Sequence, residues 1–77
     1  MPYIVVKAYP KEKEIQQDVA EAITRVFTEK WGCPRSAVTV KIESYEPEDW
    51  QKTVKEQEID PQSDKMLILE GKQQFEA

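Results

Sequence analysis

The chain alternates between two hydrophobic periods. Residues 2 to 8 follow the strand period of two, with Ile4, Val6 and Ala8 on one face and Tyr3, Val5 and Lys7 on the other. Both faces are largely apolar, which suits a strand covered on each side. Tyr9-Pro10 ends it, because proline has no amide to give a ladder and pushes the residue before it away from helical angles.

From Lys11 to Trp31 the period changes to that of a helix, with Ile15, Val19, Ala22, Ile23, Val26, Phe27 and Trp31 predicted on one inward face. Gly32 supplies the left-handed residue that closes such a helix, and Pro34 prevents its resumption. Residues 37 to 45 alternate again, placing Val38, Val40 and Ile42 inward and Thr39, Lys41 and Glu43 opposite. Two strands joined by a helical crossover form a parallel, right-handed β-α-β unit. Two strands are too few for independent stability, so the pattern predicts further strands from a partner.

Glu46-Pro47-Glu48-Asp49-Trp50 reads as a second helix start, with proline in the first turn and acids beside the positive end of the dipole. A short helix to about Glu58 would bury Trp50 and Val54, and Asp60-Pro61 breaks it. The apolar run Met66-Leu67-Ile68-Leu69 fits either a small extra strand or a last buried turn, and Gly71 to Ala77 reads as a polar tail. The fold class predicted is α+β, one domain over 1–77 completed by oligomerisation.

Composition narrows the chemistry. A chain of 77 residues buries only a little over ~60% of its unfolded surface, which favours a homo-oligomer. The net charge is −4 and the basic residues are scattered among acids, which argues against nucleic acid as partner. No apolar run approaches the ~18 residues of a membrane span and no signal peptide is evident, so the expected location is the cytoplasm, without membrane contact. One cysteine and no histidine exclude an internal disulfide, a Cys/His zinc site, a Ser-His-Asp triad and a Cys-His pair, and no metal or cofactor is expected. The remaining bases near neutral pH are a carboxylate, a lysine or the terminal amine.

That last option directs attention to Met1-Pro2. If the methionine is removed, the chain begins with a secondary amine, a base that needs no side chain, held in place by the strand that follows it. Such an amine titrates somewhat above the ~7.7–8.0 of an ordinary terminus, so an apolar pocket or nearby cations must lower its pKa for work at neutral pH.

Met1-Pro2 opening a strand, Tyr9-Pro10, Glu21-Ala22-Ile23-Thr24, the Val38-x-Val40-x-Ile42 strand and Pro47-Glu48-Asp49-Trp50 together resemble the tautomerase superfamily, its 4-oxalocrotonate tautomerase-like group. The likeness covers residues 2 to about 50, and Glu58-Ile59-Asp60-Pro61 is similar to the short bacterial branch that forms dimers rather than hexamers. What the resemblance implies is a cofactor-independent keto-enol tautomerase acting on a small α-keto acid or its enol, with the Pro2 amine as general base and then acid. A hydratase or dehalogenase of the same superfamily is the alternative, in which a charged amine acts as acid and Glu43 or Asp49 activates water. A non-catalytic oligomeric binding domain is the alternative outside enzymes.

The best-known members of that family place an arginine near the helix start and another on the second strand. Here Lys11 and Lys13 stand at the first place and Thr39 at the second, leaving Lys11, Lys41 and Arg35 as candidate cations for a substrate carboxylate. Lysines in a first turn oppose the helix dipole unless an anion sits there, although Lys11-Glu12-Lys13-Glu14 also reads as a solvated turn. Trp50 corresponds to an aromatic that walls the family's pocket, or else anchors the short helix. Cys33 reads as a plain loop thiol.

Overall fold

The computed structural model describes residues 1–76. They fall into two compact units, one spanning Met1–Glu46 and the other beginning at Pro47. The first is the β-α-β unit. Strand β1 (Tyr3–Ala8) pairs in parallel with β2 (Thr39–Ser44), in the register Tyr3↔Thr39, Val5↔Lys41 and Lys7↔Glu43. One more hydrogen bond at each end lengthens the ladder, from the Thr39 amide to the Pro2 carbonyl at 3.0 Å and from the Tyr45 amide to the Ala8 carbonyl at 2.8 Å.

The crossover is α1 (Lys13–Val26), which runs on into a π-helical turn at Phe27–Trp31. Gly32 ends it at φ 82°, where its amide and that of Cys33 both reach the Phe27 carbonyl. This is the left-handed stop expected of a glycine after the last apolar position. The wider turn lets Phe27 and Trp31 approach, with ring centroids 5.5 Å apart.

The helix departs from expectation in the face that it buries. Ile15, Val19, Ala22 and Val26 lie within about 60° of one another on a helical wheel, yet all four are exposed, Val26 to 53%. The side turned inward carries Gln16, Ala20, Ile23 and Thr24, about 100° away, and Thr24 is its one buried residue. Polar groups are tolerated there because their hydrogen bonds are local: the Thr24 hydroxyl donates to the Ala20 carbonyl at 2.8 Å and the Gln16 amide to the Lys11 carbonyl at 2.9 Å. A two-stranded sheet is narrower than the apolar stripe above it, so part of the stripe stays uncovered.

The second unit opens with α2 (Pro47–Asp49), which continues as a π-type helix through Trp50–Ile59 and buries Val54. The Asp60–Lys65 segment is a 3₁₀ helix with a break at Gln62, as Asp60-Pro61 led one to expect. The apolar run ends as a strand, β3 (Ile68–Leu69), rather than a buried turn. It pairs antiparallel with β4 (Lys72–Gln73). The expectation of a plain polar tail after Gly71 is therefore corrected, because Glu70 at φ 51° and Gly71 at φ 78° form a tight two-residue hairpin turn that sequence polarity alone conceals. The α+β class with a parallel β-α-β unit, a helix and small extra strands is observed. No helix among the described residues is long and apolar enough to cross a membrane.

Candidate active site

Pro2 stands at the start of the ladder, half-buried, its carbonyl fixed by the Thr39 amide. Its nitrogen is thereby held at the end of β1 by sheet hydrogen bonding, although no side chain takes part. Thr39 is the first β2 residue and faces the same side as Tyr3.

Two residues on, Lys41 forms an ion pair with Glu43 at 2.8 Å and also meets the Tyr3 hydroxyl. The Tyr45 hydroxyl donates to the other side of the same carboxylate at 3.1 Å. Tyr3, Lys41, Glu43 and Tyr45 thus form a polar ladder along the sheet face opposite α1. Lys41, and secondarily Tyr45, hold the Glu43 carboxyl below its ordinary 4.5, and Glu43 with Tyr3 raises the Lys41 ammonium above 10.5. The sequence showed the alternation that puts these residues on one face, but not their pairing, which depends on the strand register.

Arg35, in the short 3₁₀ turn Arg35–Ala37 before β2, reaches back to Glu21 of α1 at 2.7 Å. That contact lowers the Glu21 carboxyl and raises the guanidinium. Two of the three candidate cations are therefore already neutralised by a carboxylate on their own chain.

Lys11 differs. It lies past the other end of β1 and lines a cavity of about 90 Å³ with Val6, Ala8, Tyr9, Ile15 and Val19. Among the described residues no carboxylate forms an ion pair with its ammonium. A cation on the lip of an apolar cavity suits an anionic group attached to an apolar body.

Trp50 belongs to the second unit. It lines a cavity of about 410 Å³ there with Ile59, Met66, Ile68 and Leu69, and Lys55 and Asp60, an ion pair at 3.2 Å, line it as well. The indole is half-buried and lines this cavity within the second unit.

Curated relatives match the chain in sequence over most of its length. The chain is 34% identical over 73 residues to Tautomerase PptA of Cronobacter sakazakii, covering 92% of this chain and 96% of that protein. It is 32% identical to Tautomerase PptA of Shigella sonnei over 73 residues, and 32% identical to that of Enterobacter sp. (strain 638) over 77 residues, with the same coverage. The chain belongs to the tautomerase superfamily. It is an isomerase of the 4-oxalocrotonate tautomerase-like group. No profile of a known protein family matches it. The chain itself carries lysine at position 11 and, at position 39, a threonine with the ion-paired Lys41 two residues beyond it.

Proposed function

We propose that the protein interconverts keto and enol forms of a small α-keto acid, and that the amine of Pro2, exposed by removal of Met1, takes a proton from one substrate atom and returns it to another. The observation that carries the reading is the position of Pro2. The Thr39 amide clamps its carbonyl at 3.0 Å, so a freed nitrogen would be held at a fixed place in a half-buried setting. A neutral secondary amine is then a base whose pKa partial burial moves toward neutrality, the range in which one group serves as both base and acid.

Lys11 is assigned to the substrate carboxylate, because Lys41 and Arg35 are engaged with Glu43 and Glu21. Thr39, beside Pro2, is assigned as a hydroxyl donor to the developing enolate. The six residues of β1, about 20 Å, separate Pro2 from the turn that carries Lys11, more than a small keto acid spans. The working site therefore combines Pro2 of one copy with Lys11 of another, and the protein acts as a homo-oligomer, in the first instance a dimer.

Against hydration chemistry stands Glu43. Its two hydrogen-bond donors lower its pKa, and a carboxylate so stabilised is a poor base for activating water.

The test is ketonisation of the enol of phenylpyruvate by Met1-free protein, confirmed by intact mass. Pro2→Ala should slow kcat/KM by about 10²- to 10⁴-fold. Equal rates for wild type and variant would remove the proline from the mechanism. Loss of rate at low pH is expected of a neutral-amine base, whereas a hydratase using the charged amine would lose rate at high pH.

A further inference from the structure

The cavity of about 410 Å³ in the second unit is lined entirely by residues between Trp50 and Glu70. Its size falls in the range of small-molecule sites, which are apolar recesses carrying a few polar groups. The apolar part of the lining is Trp50, Ile59, Met66, Ile68 and Leu69. Ile68 is 56% exposed and its strand is only two residues long, so apolar side chains stand here without cover from the unit's own chain.

The polar part of the lining decides the charge of an occupant. Three ionisable side chains contribute, Lys55, Asp60 and Glu70. The Lys55 ammonium donates to both oxygens of the Asp60 carboxylate at 3.2 Å, so those two charges answer each other. Glu70 has no such counter-charge, since no cation pairs with it among the described residues. One cation against two carboxylates leaves the wall with a net charge of −1. A carboxylate on an apolar body is repelled by such a wall, whereas an ammonium is attracted, and an indole such as that of Trp50 is the best aromatic surface for a cation.

The backbone singles out the same glutamate. Glu70 stands at φ 51° and is the one non-glycine residue with a positive φ among the described residues. The first position of a tight hairpin turn is normally Asn, Asp or Gly, which tolerate that conformation at least cost. Asn or Gly would close the β3–β4 turn with less strain, but neither would bring a carboxylate to the cavity.

We propose that this cavity binds a small organic cation, an apolar or aromatic body bearing one ammonium group, with the body against Trp50, Met66 and Leu69 and the ammonium at Glu70. Its charge preference is the reverse of that at Lys11, where a cation borders an apolar recess. An anionic keto acid is therefore not the occupant. The inference rests on the lining of one unit and not on the tautomerase reading, and its test measures no activity.

Three molecules of nearly equal shape test the charge rule: 2-phenylethylamine, 2-phenylethanol and 3-phenylpropionate. Each is titrated at neutral pH into the full-length protein carrying ¹³C-methyl methionine, in which Met66 is the one reporter besides Met1. The Met66 methyl resonance should shift and saturate with the amine, require about three- to tenfold more of the alcohol, and stay in place with the carboxylate. In Trp31→Phe protein, whose one remaining indole is Trp50, fluorescence should change over the same range of amine. Glu70→Gln should bring the amine down to the alcohol's affinity and leave the alcohol's own affinity unchanged. An alcohol or carboxylate that binds as tightly as the amine, an amine advantage that survives Glu70→Gln, a Met66 shift with no change at Trp50, or no shift with any of the three up to their solubility would each overturn the proposal.

Discussion

Charge at single residues decides which cation is available to a substrate. Lys41 and Arg35 are the more conspicuous candidates in the sequence, but each has a carboxylate within 3 Å, whereas no carboxylate pairs with Lys11 among the described residues. Lys11→Ala should raise KM for a carboxylate substrate about ten- to a hundredfold, the weight of a hydrogen bond to a charged group, with a much smaller effect on kcat. Lys11→Arg should preserve or improve binding, since the guanidinium engages a carboxylate with two parallel bonds. Steady-state kinetics on the three proteins checks this. For the Lys41–Glu43 pair the sign of the pH effect follows from the two shifts. Glu43 is depressed below 4.5, so its stabilising contribution is present above about pH 4.5 and lost as pH falls through its lower folded value. Lys41 is raised above 10.5, so its share is present below about pH 10.5 and lost as pH rises through the folded value. An NMR titration of the Glu43 carboxyl should give a midpoint below 4.5 that moves up in Lys41→Met. An unchanged midpoint would mean that the pair is not formed in solution.

Among the elements, helix and strand periods were legible because each is a local property of the chain. The left-handed closure at Gly32 is the clearest case: with φ at 82° and nothing within 4 Å of where a Cβ would stand, Gly32→Ala costs backbone strain alone. Chemical denaturation should show a loss of about 1–2 kcal/mol. A negligible loss would place the end of the helix elsewhere. What the sequence did not disclose was which side of α1 is buried. The apolar stripe was visible at Ile15, Val19, Ala22 and Val26, but a stripe reveals what a helix can cover and not how much sheet one chain provides. Thr24 and Gln16 occupy the inward side because each satisfies its hydrogen bond on its own helix or cap, a choice that composition cannot signal. Of hairpin β3–β4 the first strand was one of two readings, and the second was missed for a related reason. Its strands are two residues long and their partner residues polar, so the turn at Glu70-Gly71 carries the information and the period does not.

For the molecule as a whole, family membership gives an enzyme, its assembly from copies is the proposal, and the β1 strand connects the two ideas. It fixes Pro2 at one end and carries the turn of Lys11 at the other. The candidate site was legible as a set of residue types, Pro2, Lys11, Arg35, Thr39, Lys41 and Trp50. Their grouping was not, because ion pairing depends on register and spacing depends on strand length. The proposed catalysis turns on the Pro2 nitrogen being an amine, and a ¹⁵N NMR titration of selectively labelled proline in active, Met1-free protein reads this directly. One proline nitrogen should titrate, with a midpoint matching the rising limb of kcat/KM against pH. An active preparation in which no proline nitrogen titrates, or in which its midpoint and the rate profile diverge, would contradict it.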